Sequence, residues 1–189
     1  LERAIEADLI VMGSHGSKER DSEWIGGNAF KVLSGSQCPV LVLPESFTKN
    51  RFDHIVMPLS DSSETRQKVP LTVSLAEKYN STLHIINVHR DNNAEAIHKL
   101  NIYAEQAKKY CDKHNVKYDF REIYDNNIAT SSINYAEEIN ADLIVIMSER
   151  ESPTGYFMGH YAQQLVNTSN IPVLTIHVKE MGITGIPSV

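Results

Sequence analysis

The chain has 189 residues, 41% hydrophobic and 22% charged, with a formal net charge of −6. This is the composition of an ordinary globular protein, and it excludes the broad basic face that nucleic acid or an anionic membrane surface requires. Two cysteines, Cys38 and Cys111, exclude a disulfide framework or a four-thiolate metal site within one chain and point to a reducing cytoplasm. No apolar run approaches the ~20 residues of a membrane span.

The first residues, Leu1 to Glu6, lack the layout of a signal peptide and read as the end of a helix. Ala7-Asp8-Leu9-Ile10-Val11-Met12 follows as a strand apolar on both faces, which belongs inside a parallel sheet covered by helices. Gly13-Ser14-His15-Gly16 comes next, then nine residues to Gly26-Gly27, where a helix opens and runs to Ser34 before Gly35 stops it. A glycine-punctuated loop between a strand and a helix start lets the backbone approach an oxyanion closely, with the first helical N–H groups pointing at it. The same spacing also serves as a plain strand-to-helix turn.

Residues 40–43 are a short strand and 45–52 a polar linker. A strand over 54–59 leads to Asp61, read as a helix N-cap with Glu64 completing a capping box. The helix runs to about Tyr79, and Pro70 marks a kink or a restart within it. A strand over 82–88 precedes a long amphipathic helix from Asn93 to His114, with Ala96, Leu100, Tyr103 and Ala107 on one face. Strands over 116–123, 143–147 and 173–178 alternate with helices over 128–139 and 157–168, and the residues from Lys179 form a tail. Such alternation predicts an α/β fold with a doubly wound parallel sheet, five strands per full copy.

The chain repeats itself. Ala7-Asp8-Leu9-Ile10-Val11-Met12 recurs as Ala141-Asp142-Leu143-Ile144-Val145-Ile146, at an offset of 134. Cys38-Pro39-Val40-Leu41-Val42-Leu43 recurs as Ile171-Pro172-Val173-Leu174-Thr175-Ile176, at an offset of 133. A period near 134 is one domain rather than a solenoid unit. The expected organisation is the C-terminal third of a first domain over residues 1–48, a complete second domain over 49–179, and a tail over 180–189.

Gly13-x2-Gly16-x9-Gly26, preceded by Ala-Asp-Leu-Ile-Val-Met and followed by a helix and Cys-Pro-Val-Leu-Val-Leu-Pro, resembles the universal stress protein family. The resemblance covers nearly the whole chain as a tandem. It implies a Rossmann-like five-stranded domain of strand order 3-2-1-4-5. It also implies ATP, with Mg²⁺, held at Gly13, Ser14, His15, Gly16, Gly26, Gly27 and Asn28. Gly27 stands where the family has Ser or Thr, so a backbone N–H remains without the hydroxyl, and Asn28 offers a side-chain donor instead. The second copy has Met147 for Gly13, Arg150 for Gly16 and His160 for Gly27, and is not expected to hold ATP in the family's manner because a methionine crowds the close-approach position.

The resemblance further implies pairing through the last strands, 40–43 with 173–176, antiparallel, within a pseudo-dimer or a homodimer. The leading functional reading is a cytoplasmic, non-catalytic or weakly ATP-hydrolysing stress-response protein. The competing reading is a nucleotide-independent interaction or scaffold module of the same fold. A third class, an adenylate-chemistry enzyme, would need a metal-holding or basic residue near the loop, and none is evident. His84, His89 and His177 read as structural strand histidines, and no metal site is expected. The strand Leu9–Met12 lacks a neighbour on one side, so the chain is expected to be a fragment of a longer protein or to have that edge covered by another chain.

Overall fold

A computed structural model describes residues 7–14, 27–36, 38–89, 93–148 and 159–178. The strands are β1 (Ile10–Gly13), β2 (Val40–Leu43), β3 (His54–Leu59), β4 (Thr82–His89), β5 (Lys117–Tyr124), β6 (Leu143–Ser148) and β7 (Val173–His177). The helices are α1 (Gly27–Gly35), α2 (Val69–Tyr79), α3 (Ala94–Lys113), α4 (Ile128–Glu138) and α5 (His160–Thr168). All seven strands join one sheet in the order β1-β2-β7-β6-β3-β4-β5. Within it, β5-β4-β3-β6-β7 is the predicted 3-2-1-4-5 arrangement, entirely parallel. No helix among the described residues is long and apolar enough to cross a membrane.

The two copies of the motif meet where β2 pairs antiparallel with β7, Val40 opposite Thr175, Leu41 opposite Leu174 and Val42 opposite Val173. The Thr175 hydroxyl donates to the Val40 carbonyl at 3.2 Å. The predicted last-strand pairing is therefore made inside this chain, and it merges two strands and five into one continuous sheet. It is also the one reversal of direction in the sheet. The carboxyl ends of β1 and β2 consequently lie at the opposite end of the sheet from those of β3 to β7.

Burial follows from this layering. One face packs Leu33 of α1, Ala136 of α4 and Leu165 of α5 against Val56, Ile86 and Ile144. The other packs Val73 of α2 and Leu100 and Ala104 of α3 against Ile55, Ile85 and Val145. Helices α2, α3 and α4 each hand over to a strand through the same stop: Asn80, Asn115 and Asn140 take positive φ of 54°, 54° and 52°. Asparagine tolerates that region, and it lets the next N–H bond back to the helix (Ser81 to Ala76, Val116 to Cys111 and Ala141 to Ala136, at 2.8, 3.0 and 2.8 Å).

One sequence expectation is corrected. Asp61 is not a helix N-cap. Ser62 is, its hydroxyl accepting from the Glu64 N–H and donating to the Glu64 carboxylate, which lowers the Glu64 pKa. The segment it opens is a 3₁₀ turn (Ser63–Lys68), and α2 restarts at Val69. Pro70 falls in the first turn of α2, where its missing N–H would have no helical acceptor, so it marks a restart rather than a kink.

The amino-terminal end of the sheet carries a polar network. The buried Asp142 carboxylate accepts from the backbone N–H groups of Asp53 and His54 at 2.7 and 2.8 Å and pairs with Lys49. Burial works to raise the Asp142 pKa, but these three donors outweigh it and the net direction is down. Beside it, His54 Nδ1 and His84 Nε2 lie 3.1 Å apart, and His84 Nδ1 lies 3.1 Å from the Tyr135 hydroxyl.

Burial lowers the His84 pKa; Asp119 opposes and His54 reinforces that direction. Protonating both imidazoles would also set two N–H donors against each other. The unfolded chain therefore takes up a proton at His84 first as pH falls, and stability declines below about 6.5, the ordinary histidine value, until the lower folded pKa is passed.

Two outcomes are expected from urea titrations. Replacing Asp142→Ala strips two strand-entry N–H groups of their acceptor and lowers stability by about 2 kcal/mol. With His84→Gln, the loss of stability between about pH 7.5 and about pH 5.5 is smaller than in the parent; equal losses would mean His84 is not the titrating group.

Candidate functional site

Two places in the structure have the chemistry to hold a ligand, and the strand reversal puts them at opposite ends of the sheet. The first is the turn after β1. Gly13 closes the strand, and the Ser14 N–H is spent on the Leu43 carbonyl at 3.0 Å, which ties the start of the loop to β2. Gly27 is the first residue of α1, and the first turn of that helix holds no acidic residue. Its N-terminal partial positive charge is therefore not offset by a carboxylate of its own first turn. Of the predicted site residues, Gly13, Ser14, Gly27 and the Asn28 backbone are placed. His15, Gly16 and Gly26 lie outside the described residues, as does Arg150.

The second place is a cavity of about 370 Å³. It opens at the carboxyl ends of β3, β4 and β6, between α3 and the start of α4. This is where winding reverses in a doubly wound sheet, since β3 has β4 on one side and β6 on the other. Pro58 and Leu59 bring β3 to it, Val88 and His89 bring β4, and Leu100 of α3 closes one wall. Met147 of β6 lines it too, 5% exposed. That is the residue repeating Gly13, so the second copy carries a side chain where the first has none.

The polar residues of the cavity were not legible as a group. Asp61, freed from capping, is exposed at its edge. Lys68 is buried in its wall and donates to the Thr65 hydroxyl at 2.9 Å. His89 is the departure from expectation among the strand histidines. His84 is held as described, and His177 Nδ1 sits 2.6 Å from the Ser148 hydroxyl, the pair bridging β6 and β7. His89, by contrast, has a fully buried side chain, and neither ring nitrogen has a hydrogen-bond partner among the described residues.

Asn87 and His89 share one face of β4, but Thr82 and His84 on the other make the strand polar on both, so the sequence carried no signal that set His89 apart. Burial pushes the Cys111 thiol up to about 11, which removes it as a nucleophile. Among the described residues no group of three histidine, cysteine or acidic side chains is placed to hold a metal.

A doubly wound α/β sheet with a cavity at the winding reversal defines a Rossmann-like architecture. The sequence matches the Universal stress protein family over residues 1–44 and 51–177, and the chain belongs to that family. No curated protein matches it.

Among solved structures it is similar to a universal stress protein from Archaeoglobus fulgidus DSM 4304, at 20% identity and a TM-score of 0.72, covering 94% of this chain and 64% of that one. A protein from Pseudomonas aeruginosa UCBPP-PA14 that carries the universal stress protein name gives 18% identity and a TM-score of 0.70, covering 93% and 65%. The chain thus spans just under two thirds of the length of these structures. A universal stress protein in complex with cAMP gives 19% identity and a TM-score of 0.56, covering 69% of this chain and all of that one.

The buried position of Met147 is directly testable. Met147→Ala removes packing from the wall shared with Leu59 and Val145 and lowers stability by about 2 kcal/mol or more in a urea titration; an unchanged midpoint would show that the side chain is not part of the core.

Proposed function

We propose that this protein is a non-catalytic, nucleotide-binding stress-response protein whose phosphate loop runs from Gly13 to Asn28. The observation that carries the reading is the pairing of two elements in sequence: β1 delivers a glycine at its carboxyl end, and α1 opens at Gly27 with no acidic residue in its first turn. Backbone N–H groups and the helix N-terminus then meet the phosphates, with Gly16 and Gly26 allowing close approach and Ser14, His15 and Asn28 offering side-chain donors. ATP is the proposed nucleotide, with Mg²⁺ carried on its phosphates, and hydrolysis is weak or absent. The relative in complex with cAMP supports a nucleotide as ligand class.

In the same reading the chain is a tandem, residues 1–48 belonging to one domain and 49–179 to a second whose phosphate turn is degenerate, joined as a pseudo-dimer through β2 and β7, in the cytoplasm. A second reading, a nucleotide-independent interaction module, is favoured by the β1 edge, where Leu9 and Val11 are 45% and 55% exposed beside an unshared strand.

Calorimetric titration with Mg²⁺-ATP separates the two. The nucleotide reading expects saturable binding that Gly13→Val weakens at least about tenfold, since a branched side chain blocks the close approach. Absence of saturable binding to the parent chain would overturn it and leave the interaction module.

A further inference from the structure

Besides the two places already described, we propose that His54 and His84, which meet head to head at the amino-terminal end of β3 and β4, form a binding site for a divalent transition-metal ion of the zinc class, with water filling the remaining positions. β2, β7 and β6 lie between this pair and the Gly13 turn, so the inference does not depend on the phosphate loop.

Strand register makes the pair. β3 and β4 run parallel with His54 opposite Thr82, so His84, two residues on, lies diagonally across on the same face. The ring centroids are 5.3 Å apart with planes tilted by 50°, and His54 Nδ1 stands 3.1 Å from His84 Nε2. In a tetrahedral zinc site, nitrogens each about 2.0–2.1 Å from the ion stand about 3.3 Å from one another. The pair is therefore within about 0.2 Å of ligand spacing, and a change of ring tilt turns both lone pairs on one ion.

The far side of His84 carries the support that a ligand histidine needs. Its Nδ1 lies 3.1 Å from the Tyr135 hydroxyl and 3.7 Å from Asp119 Oδ2. With the proton on Nδ1, facing these oxygens, Nε2 keeps its lone pair and points at His54. That is the tautomer and orientation of a metal-bound imidazole. His84 is buried and so held in place, whereas His54 is half-buried and gives an ion a way in.

Charge also favours a cation. The Asp119 carboxylate is exposed, and among the described residues its ion-pair partner is His84 itself. Nearby cations are spent on other carboxylates: Lys49 on Asp142, Arg51 on Asp53 at 2.6 Å and Arg121 on Glu138 at 3.0 Å. Donor type sets the ion. Imidazole nitrogen suits zinc, copper(II) and nickel(II), while magnesium and calcium take oxygen ligands. Without an ion, one proton fills the gap, carried on His54 Nδ1 and donated to His84 Nε2. The ion takes its place when that proton moves to His54 Nε2, so both rings stay neutral and no proton is released. Bound there, the ion ties the entry of β3 to that of β4.

The experiment is calorimetric titration of the full chain with zinc chloride and, separately, magnesium chloride. It is run on the parent, His54→Gln, His84→Gln, Asp119→Asn and His98→Gln, the last on the exposed surface of α3. Far-UV circular dichroism confirms that each variant is folded, and if His84→Gln is not, the half-buried His54→Gln decides. The expected result is one zinc per chain with a dissociation constant below about 100 μM, and no saturable magnesium binding. His54→Gln and His84→Gln each weaken zinc binding at least about tenfold, Asp119→Asn, a positioning change, weakens it up to about tenfold, and His98→Gln leaves it unchanged. Imidazole nitrogen NMR adds a readout that a purely structural pair does not move: zinc shifts His54 from the Nδ1–H to the Nε2–H tautomer while His84 keeps its Nδ1 proton.

Zinc binding weaker than about 100 μM, or none, overturns the inference. So does binding that either His54→Gln or His84→Gln leaves unchanged, binding that His98→Gln weakens as much, or magnesium bound as tightly as zinc.

Discussion

The antiparallel contact between β2 and β7 is the constraint on which the architecture depends. Parallel strands need long crossovers, so the sheet can change direction only where two edges meet side by side. Here three opposed pairs, from Val40–Thr175 to Val42–Val173, make that junction. It is buried from both faces: Val40 and Thr175 are fully buried and Val42, Val173 and Leu174 nearly so. Leu41 turns toward the α2/α3 face, where it packs against the core, while Val40 and Val42 pack under α1. The alternation of a strand thus supplies both layers at once. A single reversal then sends the carboxyl ends of β1 and β2 one way and those of the other strands the opposite way, which puts Gly13 and the cavity at opposite ends of the sheet.

At the amino-terminal end of the five parallel strands, polar groups are satisfied almost completely. Asp142 accepts two backbone N–H groups and a lysine, Ser81 donates to the Phe52 carbonyl, and His54, His84 and Tyr135 form a chain. At the carboxyl end, the buried side-chain atoms without a hydrogen-bond partner among the described residues include Asn87 Oδ1 and the two nitrogens of His89. The contrast is physical rather than incidental. Groups that hold strands together at the amino-terminal end find protein partners.

Much of this was legible. The element boundaries, within a few residues, came from periodicity and from the repeated Ala-Asp-Leu-Ile-Val and Pro-Val-Leu segments, while strand order and the antiparallel seam were what the family resemblance implied. Pro70 was legible as a break but not as a restart, because that depended on Ser62 rather than Asp61 starting the preceding turn. His89 was not legible as a site residue. Its spacing is that of any strand residue, and what singles it out is the absence of a partner, a property set by β5, α3 and the cavity rather than by its neighbours in sequence.

The repeated segment draws the line between the two kinds of information most cleanly. Asp8-Leu9-Ile10-Val11 and Asp142-Leu143-Ile144-Val145 are the same residues, and in both places branched apolar side chains and the following turn made a strand, as sequence alone determined. In β6, Leu143 and Val145 are 1% and 0% exposed, and Asp142 clamps the start of β3. In β1, Leu9 and Val11 are 45% and 55% exposed, and Asp8 is exposed too. Only the tertiary structure decided that difference, because burial belongs to the neighbours: β6 lies between β3 and β7 with helices on both faces, and among the described residues β1 has β2 alone.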